Sequence, residues 1–452
     1  MNKLKYESPI IKQINAGITS KFGDLSTLKP TTHIANNSVK NLTEEYGSPL
    51  FVINEQTIRN TYQEAYHAFS TRYPNVQFAW SYKTNYIDAV CKVFHSEGAW
   101  AEVVSGFEYN KAINNGVPGD KIIFNGPDKS DKDLIVAVQN NSPIHIDHFD
   151  ELYSLIAIAD ELDKRAKVAI RVNMDTDIKP LWDRFGFNYE NGQAWEAIKK
   201  IISSKNLDLI GLHTHIGTFI LEPNAYYIAA TKLADLAINV KNKFKHDIQY
   251  IDMGGGFASK NTLKGSYLSG TDLAPTFSDY AENITQALLN ADFSTEDLPL
   301  LILETGRALI DDAGSLLGTV LANKRLADGR RSMIMDFGVN ILFTSFWYNH
   351  IISPAQECSL YTEETVMYGP LCMNIDVIRE SINLPPLNKG DHVVVHRVGA
   401  YNMTQWMQFI TLRPKVVLID TDGKTHIIRE SESNEYVSKL DITPEYLKEI
   451  DL

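Results

Sequence analysis

Eight short apolar runs mark the middle of the chain, at Val76–Trp80, Trp100–Val104, Lys121–Phe124, Ile144–Asp147, Val168–Val172, Leu209–His213, Tyr250–Met253 and Leu300–Leu303. Each has the length of a buried strand, and most are separated by a stretch long enough for a helix, such as Tyr153–Leu162 or Ala194–Ile202. Strands alternating with helices in this number predict a (β/α)8 barrel. An open doubly wound sheet is the competing architecture, disfavoured by the count and by the lack of a Gly-x-Gly-x-x-Gly turn. Upstream, Leu50-Phe51-Val52-Ile53 reads as a strand after the break at Gly47-Ser48-Pro49. Asn54 then caps a helix from Glu55 to about Phe69, with Ile58, Tyr62, Ala65 and Phe69 on one face.

Beyond Leu309 the texture changes. Short β-rich runs, Ser332–Met335, His392–His396 and Lys415–Ile419, lie between turn signals such as Asn388-Lys389-Gly390-Asp391 and Thr421-Asp422-Gly423-Lys424. The pattern divides the chain into a polar arm over 1–46, a barrel over 47–310 and a mostly β domain over 311–452, with the arm joining the β domain.

A chain of 452 residues has room for two domains, and 44% hydrophobic against 22% charged residues is a globular balance. With 43 basic and 56 acidic residues the net charge is −13, which disfavours a nucleic-acid partner because phosphate binding needs a basic face. Cys91, Cys358 and Cys372 are too few and too scattered for a disulfide framework or a structural zinc site, so a reducing, cytoplasmic compartment is expected. Met1–Phe22 has no continuous apolar core, so neither a signal peptide nor a membrane span is expected.

In a barrel of this kind the working residues lie at the C-terminal strand ends. Polar residues gather there: Lys83, Glu102, Glu108, Asn125, His145, Asp147, Arg171, Asn173, His213, His215, Gly254-Gly255-Gly256 and Glu304-Thr305-Gly306-Arg307. Lys83 follows an aromatic strand end. A lysine at such a place is usually solvated, but held in apolar surroundings its amine loses a proton easily and can form a Schiff base with an aldehyde. The three glycines expose backbone N–H groups to a phosphate, although such a run is more often only a tight turn. Arg307 can fork onto phosphate oxygens or pair with Glu304. His213 and His215 suggest a metal, yet no third ligand has convincing spacing, so no metal is expected and an imidazole can equally stack on a cofactor ring.

Taken in order, Trp80-Ser81-Tyr82-Lys83-Thr84-Asn85, Gly211-Leu212-His213-Thr214-His215-Ile216-Gly217-Thr218, Asp252-Met253-Gly254-Gly255-Gly256-Phe257, Glu304-Thr305-Gly306-Arg307, Tyr368-Gly369-Pro370-Leu371-Cys372 and Gly399-Ala400-Tyr401 resemble the successive motifs of the fold-type III pyridoxal-phosphate-dependent decarboxylases, the group of diaminopimelate and ornithine decarboxylases. The resemblance implies an alanine-racemase-like barrel plus a C-terminal β domain, pyridoxal phosphate as cofactor, and removal of an amino acid's α-carboxylate. It implies that Lys83 holds the cofactor as an aldimine, that His215 stacks on its ring, and that Glu304 meets the pyridine nitrogen, making the ring an electron sink. Thr218, Gly255, Gly256, Arg307 and Tyr401 would bind the phosphate, with Glu102, Arg171 and Gly306 in the same cofactor site. Cys372, otherwise a small buried hydrophobe, would come from a partner subunit and help reprotonate the product carbon, so a homodimer with shared sites is expected.

The substrate end departs from that pattern. Met373 stands where diaminopimelate decarboxylases have a glutamate and ornithine decarboxylases an aspartate, although Asp376 is near. Thr344 stands where an arginine grips the distal carboxylate, and Tyr348 is retained. Losing such charge-assisted contacts typically costs several kcal/mol, which points away from diaminopimelate and towards a modified, conjugated or carrier-bound diamino acid. The aromatics of Asn402–Phe409, with Phe346 and Trp347, either line a larger pocket or pack a domain interface. An amino-acid racemase on the same fold is the alternative, but racemases of this group typically place an arginine at the pyridine nitrogen. A non-catalytic pyridoxal-phosphate-binding homologue is a further one, disfavoured by the presence of Lys83 and Cys372.

Overall fold

The computed structural model describes residues 29–178, 181–294 and 297–448. Strand β1 (Leu50–Asn54) precedes eight parallel strands: β2 (Val76–Ser81), β3 (Trp100–Val103), β4 (Ile122–Phe124), β5 (Ile144–Ile146), β6 (Ala166–Asn173), β7 (Leu207–His213), β8 (Tyr250–Asp252) and β9 (Leu300–Leu303). Pairing runs β7-β8-β9-β2-β3-β4-β5-β6, and β6 pairs back onto β7, so the barrel closes. Closure leaves no sheet edge, which is why nearly every strand residue can be apolar.

Alternation sorts the side chains. Phe78 and Trp80 of β2 point outward, against Tyr62 of helix α1 (Glu55–Ser70) and Phe94 of helix α2 (Asp88–Ser96). Ala79 points inward and joins Ile123, Ala169, Ile210, Tyr250 and Ile302 in a separate cluster that plugs the barrel interior. As the sequence predicts, Asn54 caps α1, accepting from the Thr57 amide at 3.3 Å.

The second domain is a mixed sheet built on the long strand β10 (Gly314–Arg325) with β11 (Arg331–Met335), β12 (Ile352–Pro354), β13 (Glu363–Tyr368), β14 (Val377–Leu384), β15 (His392–His396), β16 (Val416–Ile419) and β17 (Thr425–Arg429). β1 belongs to this sheet, paired antiparallel with β10 and parallel with β16. The boundary expected at residue 47 therefore falls before a strand that hydrogen-bonds into the second domain. The described part of the N-terminal arm joins the same domain, where Val39 and Leu42 share a core with Leu50, Val52, Leu317 and Val417. Residues 1–28 lie outside the described residues.

Candidate active site

At the C-terminal ends of the barrel strands lies a cavity of about 290 Å³. β2 ends at Ser81, and the single turn Tyr82–Thr84 carries Lys83 to its wall. Trp80 and Tyr82 anchor that turn, the first stacked on Phe94 with ring centroids 3.8 Å apart and the second bonded to His95 at 2.9 Å. The second domain locks it from the other side: Thr404 Oγ1 donates to the Lys83 carbonyl at 2.9 Å and the Tyr401 amide to the Thr84 carbonyl at 2.8 Å. Lys83 Nζ donates to both oxygens of the buried Glu102, at 2.8 and 2.9 Å. Burial alone would depress the ammonium, but the carboxylates of Glu102 and Glu304 outweigh it and hold the pKa above the ordinary lysine value. The resting amine is thus charged, with an acceptor for its proton in contact.

Glu304, next after β9, forms the floor. Its Oε1 accepts from Asn125 Nδ2 at 2.6 Å and its Oε2 lies 3.3 Å from His213 Nε2. His145 Nδ1 stands 4.0 Å away, and its Nε2 meets the Tyr250 hydroxyl at 2.8 Å. Burial first, then neighbouring charge, pushes His145 and His213 well below the ordinary imidazole value, so both are neutral. Asp252 is driven the other way, by burial and then by Glu304, well above the ordinary carboxyl value. The floor therefore sets the Glu304 carboxyl beside two neutral imidazoles.

At the far end, Arg307 is buried, bonds the Tyr348 hydroxyl, reaches Thr218 Oγ1 at 3.4 Å, and lies 4.6 Å from the centre of the Tyr401 ring. It turns away from Glu304. Gly256 has φ +94°, and a Cβ there would sit 2.3 Å from the Gly217 carbonyl oxygen. Only glycine fits, and Gly256, Thr218, Gly306, Arg307 and Tyr401 together line a cationic, hydroxyl-bearing niche. Gly255 is off this wall, its amide given to His215 Nδ1 at 3.1 Å. His215 borders the cavity with the Trp182 ring 5.3 Å away, and burial keeps it neutral. Arg171 also lines the cavity, 4.5 Å over the Phe185 ring and 3.9 Å from Asp147.

The residues read as marking the substrate end do not border this cavity of their own chain. Thr344 is 1% exposed; its amide and hydroxyl both donate to Asn402 Oδ1, at 3.1 and 2.9 Å, and the hydroxyl meets His350 Nε2 at 2.8 Å. Asp376 is buried, and its two oxygens accept the Val339 and Leu371 amides at 2.8 Å each. Tyr348 is buried against Arg307. Cys372 is exposed and Met373 half-buried, and neither borders the cavity of its own chain. Trp406 packs on Phe51 and 4.3 Å from the Arg429 guanidinium, so it belongs to the domain's packing.

Two features escaped the sequence reading. Trp182 and Phe185 line the cavity from the segment after β6, where no periodic pattern flags them. His213 of the His213/His215 pair also lies with His145 and Glu304, from two other strand ends, with donor atoms within 4.8 Å of one another, while His215 is not in that group.

Residues 59–311 match the model of the pyridoxal-dependent decarboxylase pyridoxal binding domain, and residues 307–399 that of the pyridoxal-dependent decarboxylase C-terminal sheet domain. The diaminopimelate decarboxylase of Methanocaldococcus jannaschii is 30% identical over 427 residues, 90% of this chain and 94% of the relative. That of Aquifex aeolicus is 28% identical over 442 residues, 95% of this chain and 98% of the relative. A crystal structure of the M. jannaschii enzyme superposes with a TM-score of 0.84 at 28% identity, covering 93% of this chain and 99% of that one. The cavity fits pyridoxal phosphate: an amine beside a carboxylate for its aldehyde, a carboxylate floor for its ring nitrogen, and a niche closed to any Cβ at Gly256 beside Arg307 for its phosphate. Its own geometry and these relatives agree that the chain belongs to the pyridoxal-dependent decarboxylases, as an enzyme that decarboxylates an amino acid with pyridoxal phosphate.

Proposed function

We propose that this enzyme acts on an amino acid whose far end is not gripped by the pair of charges that diaminopimelate calls for, and that it works as a homodimer. The observation that carries the substrate reading is the placement of Thr344. Its polar atoms are spent on Asn402 and His350 inside the second domain, so position 344 offers the cavity nothing. Met373 adds no charge. Among the described residues lining the cavity, the charged side chains are Lys83, Glu102, Arg171, Glu304 and Arg307, and each already has a place in holding the cofactor. The rest of the outer wall carries the aromatic pair Trp182 and Phe185, which favours a neutral, conjugated or carrier-bound side chain over a second ionised group.

The roles follow from the contacts. Bound pyridoxal phosphate supplies the electron sink that makes loss of CO2 feasible. Lys83 would attach it, with Glu102 placed to take the lysine's proton; Glu304 would hold a proton at its ring nitrogen; His215 would border its ring; Thr218, Gly256, Gly306, Arg307 and Tyr401 would hold its phosphate. Arg171, stacked on Phe185 and near Asp147, would stiffen the cavity wall beside the cofactor. Cys372, exposed and away from its own cavity, delivers a proton into the site of a second copy.

A CO2-release screen over diaminopimelate, lysine, ornithine, arginine and their side-chain-acylated forms tests the substrate reading. Release is expected from a substrate with a neutral distal end; diaminopimelate as the best substrate would overturn it. Sedimentation equilibrium tests the dimer, and an active monomer would overturn that part.

A further inference from the structure

The two carboxylates that do the work on the cavity floor are joined by one amide. Glu102 holds Lys83, and Glu304 directly follows β9, the strand paired with β2. Between them Asn125, immediately after β4, gives one N–H to Glu102 Oε1 at 3.2 Å and the other to Glu304 Oε1 at 2.6 Å. Asn125 is 4% exposed, and its Oδ1 has no hydrogen-bond partner. The amide cannot be flipped, because that would aim its oxygen at two carboxylates and strand both hydrogens.

We propose that Asn125 is a positioning residue that ties the carboxylate serving Lys83 to the carboxylate serving the ring nitrogen, keeping both correctly aimed. The proposal rests on the cofactor reading above and assigns a new residue to it. An unbridged pair of anions in a buried site repels, and one of them takes up a proton. A neutral double donor removes that repulsion without adding charge, which neither lysine nor a hydroxyl can do at this place. The other groups facing the pair do not compete. Ser81 donates to Glu102, His213 and His145 are neutral beside Glu304, and burial raises the Asp252 carboxyl. Arg171 lies on the cavity wall and pairs with Asp147.

The test uses the cofactor-loaded full chain with two near-isosteric variants, Asn125→Asp and Asn125→Leu. The absorbance band of the lysine-bound cofactor is followed against pH, and the dissociation constant for pyridoxal phosphate is measured by fluorescence quenching. Asn125→Asp adds a third anion, so the band's pH midpoint should rise by about one unit or more, as expected for a like charge placed at contact distance. Asn125→Leu removes two charge-assisted bonds, so cofactor affinity should fall roughly ten- to hundredfold. Thermal melts of the cofactor-free proteins separate these effects from misfolding; a variant that melts near the wild type yet shows both shifts supports the proposal. Variants that titrate and bind like the wild type overturn it alone. A wild-type protein with no band dependent on Lys83 overturns the cofactor reading and this proposal together.

Discussion

Replacing Thr344 by arginine asks whether the grip on a distal carboxylate can be restored by one substitution. The structure says it cannot. Thr344 is 1% exposed, and its hydroxyl makes contacts of 2.9 and 2.8 Å to Asn402 and His350. Losing two such bonds costs about 1–3 kcal/mol together. Forcing a longer side chain into this packing adds about 1–3 kcal/mol. An unpaired guanidinium beside the His350 ring, itself held neutral by burial with a pKa of about 3, adds several more. Thr344→Arg should therefore lose at least about 4 kcal/mol, read as a fall in denaturant midpoint at constant slope, and gain no release of CO2 from diaminopimelate. Asn402 adjoins Tyr401, so weaker cofactor binding should accompany the loss. A variant as stable as the wild type that turns over diaminopimelate would show that position 344 faces the substrate, and the reading of the pocket would fall.

Lys83→Ala should abolish both the absorbance band of the bound cofactor and all turnover, measured by spectrum and CO2 release. Cys372→Ala should slow product formation while leaving stability within about 0.5 kcal/mol, since the side chain is exposed; an unchanged rate removes Cys372 from the chemistry. Gly256→Ala should weaken pyridoxal-phosphate binding at least about tenfold, because a non-glycine residue at φ +94° costs about 1–2 kcal/mol before its Cβ meets the Gly217 carbonyl. Glu108 is raised to about 7 by burial, against the opposing Val104 amide. A raised carboxyl binds its proton more tightly folded than unfolded, so stability falls as pH climbs from about 4.5 to 7. Glu108→Gln should remove that slope and exceed the wild type above pH 7 by on the order of 3 kcal/mol at most; identical pH profiles in urea unfolding would contradict it.

What the sequence made legible was governed by local pattern. The barrel strands are continuous apolar runs at helix-length intervals, and the residues just past their ends gather on one rim because parallel strands all point the same way. Strand β1 shows the limit: Leu50-Phe51-Val52-Ile53 is as apolar as any barrel strand, and nothing local says that its neighbours are Gly314–Leu317 and Val416–Ile419. The strand β10 was missed for a different reason. Its burial shifts along its length as it leaves β1 and β15 to pair with β11, so its twelve residues follow no single alternation. Thr344 and Asp376 were placed at the substrate by their neighbours in sequence, whereas their hydrogen bonds turn them into the second domain.

The same contrast separates reaction from specificity. The groups that run the decarboxylation sit on barrel strand ends, held by backbone geometry that the hydrophobic pattern already dictates. Lys83, Glu102 and Glu304 can hardly point elsewhere without breaking the barrel. The substrate wall has no such scaffold, because Trp182 and Phe185 come from an irregular segment and Cys372 from a turn exposed on the second domain. Substitutions on that wall leave the fold's energetics nearly untouched, so the substrate can change while the chemistry stays. On the proposed reading, a chain that keeps the floor and the phosphate niche but has Thr344 and Met373 at the two positions discussed above changes its substrate without changing its reaction.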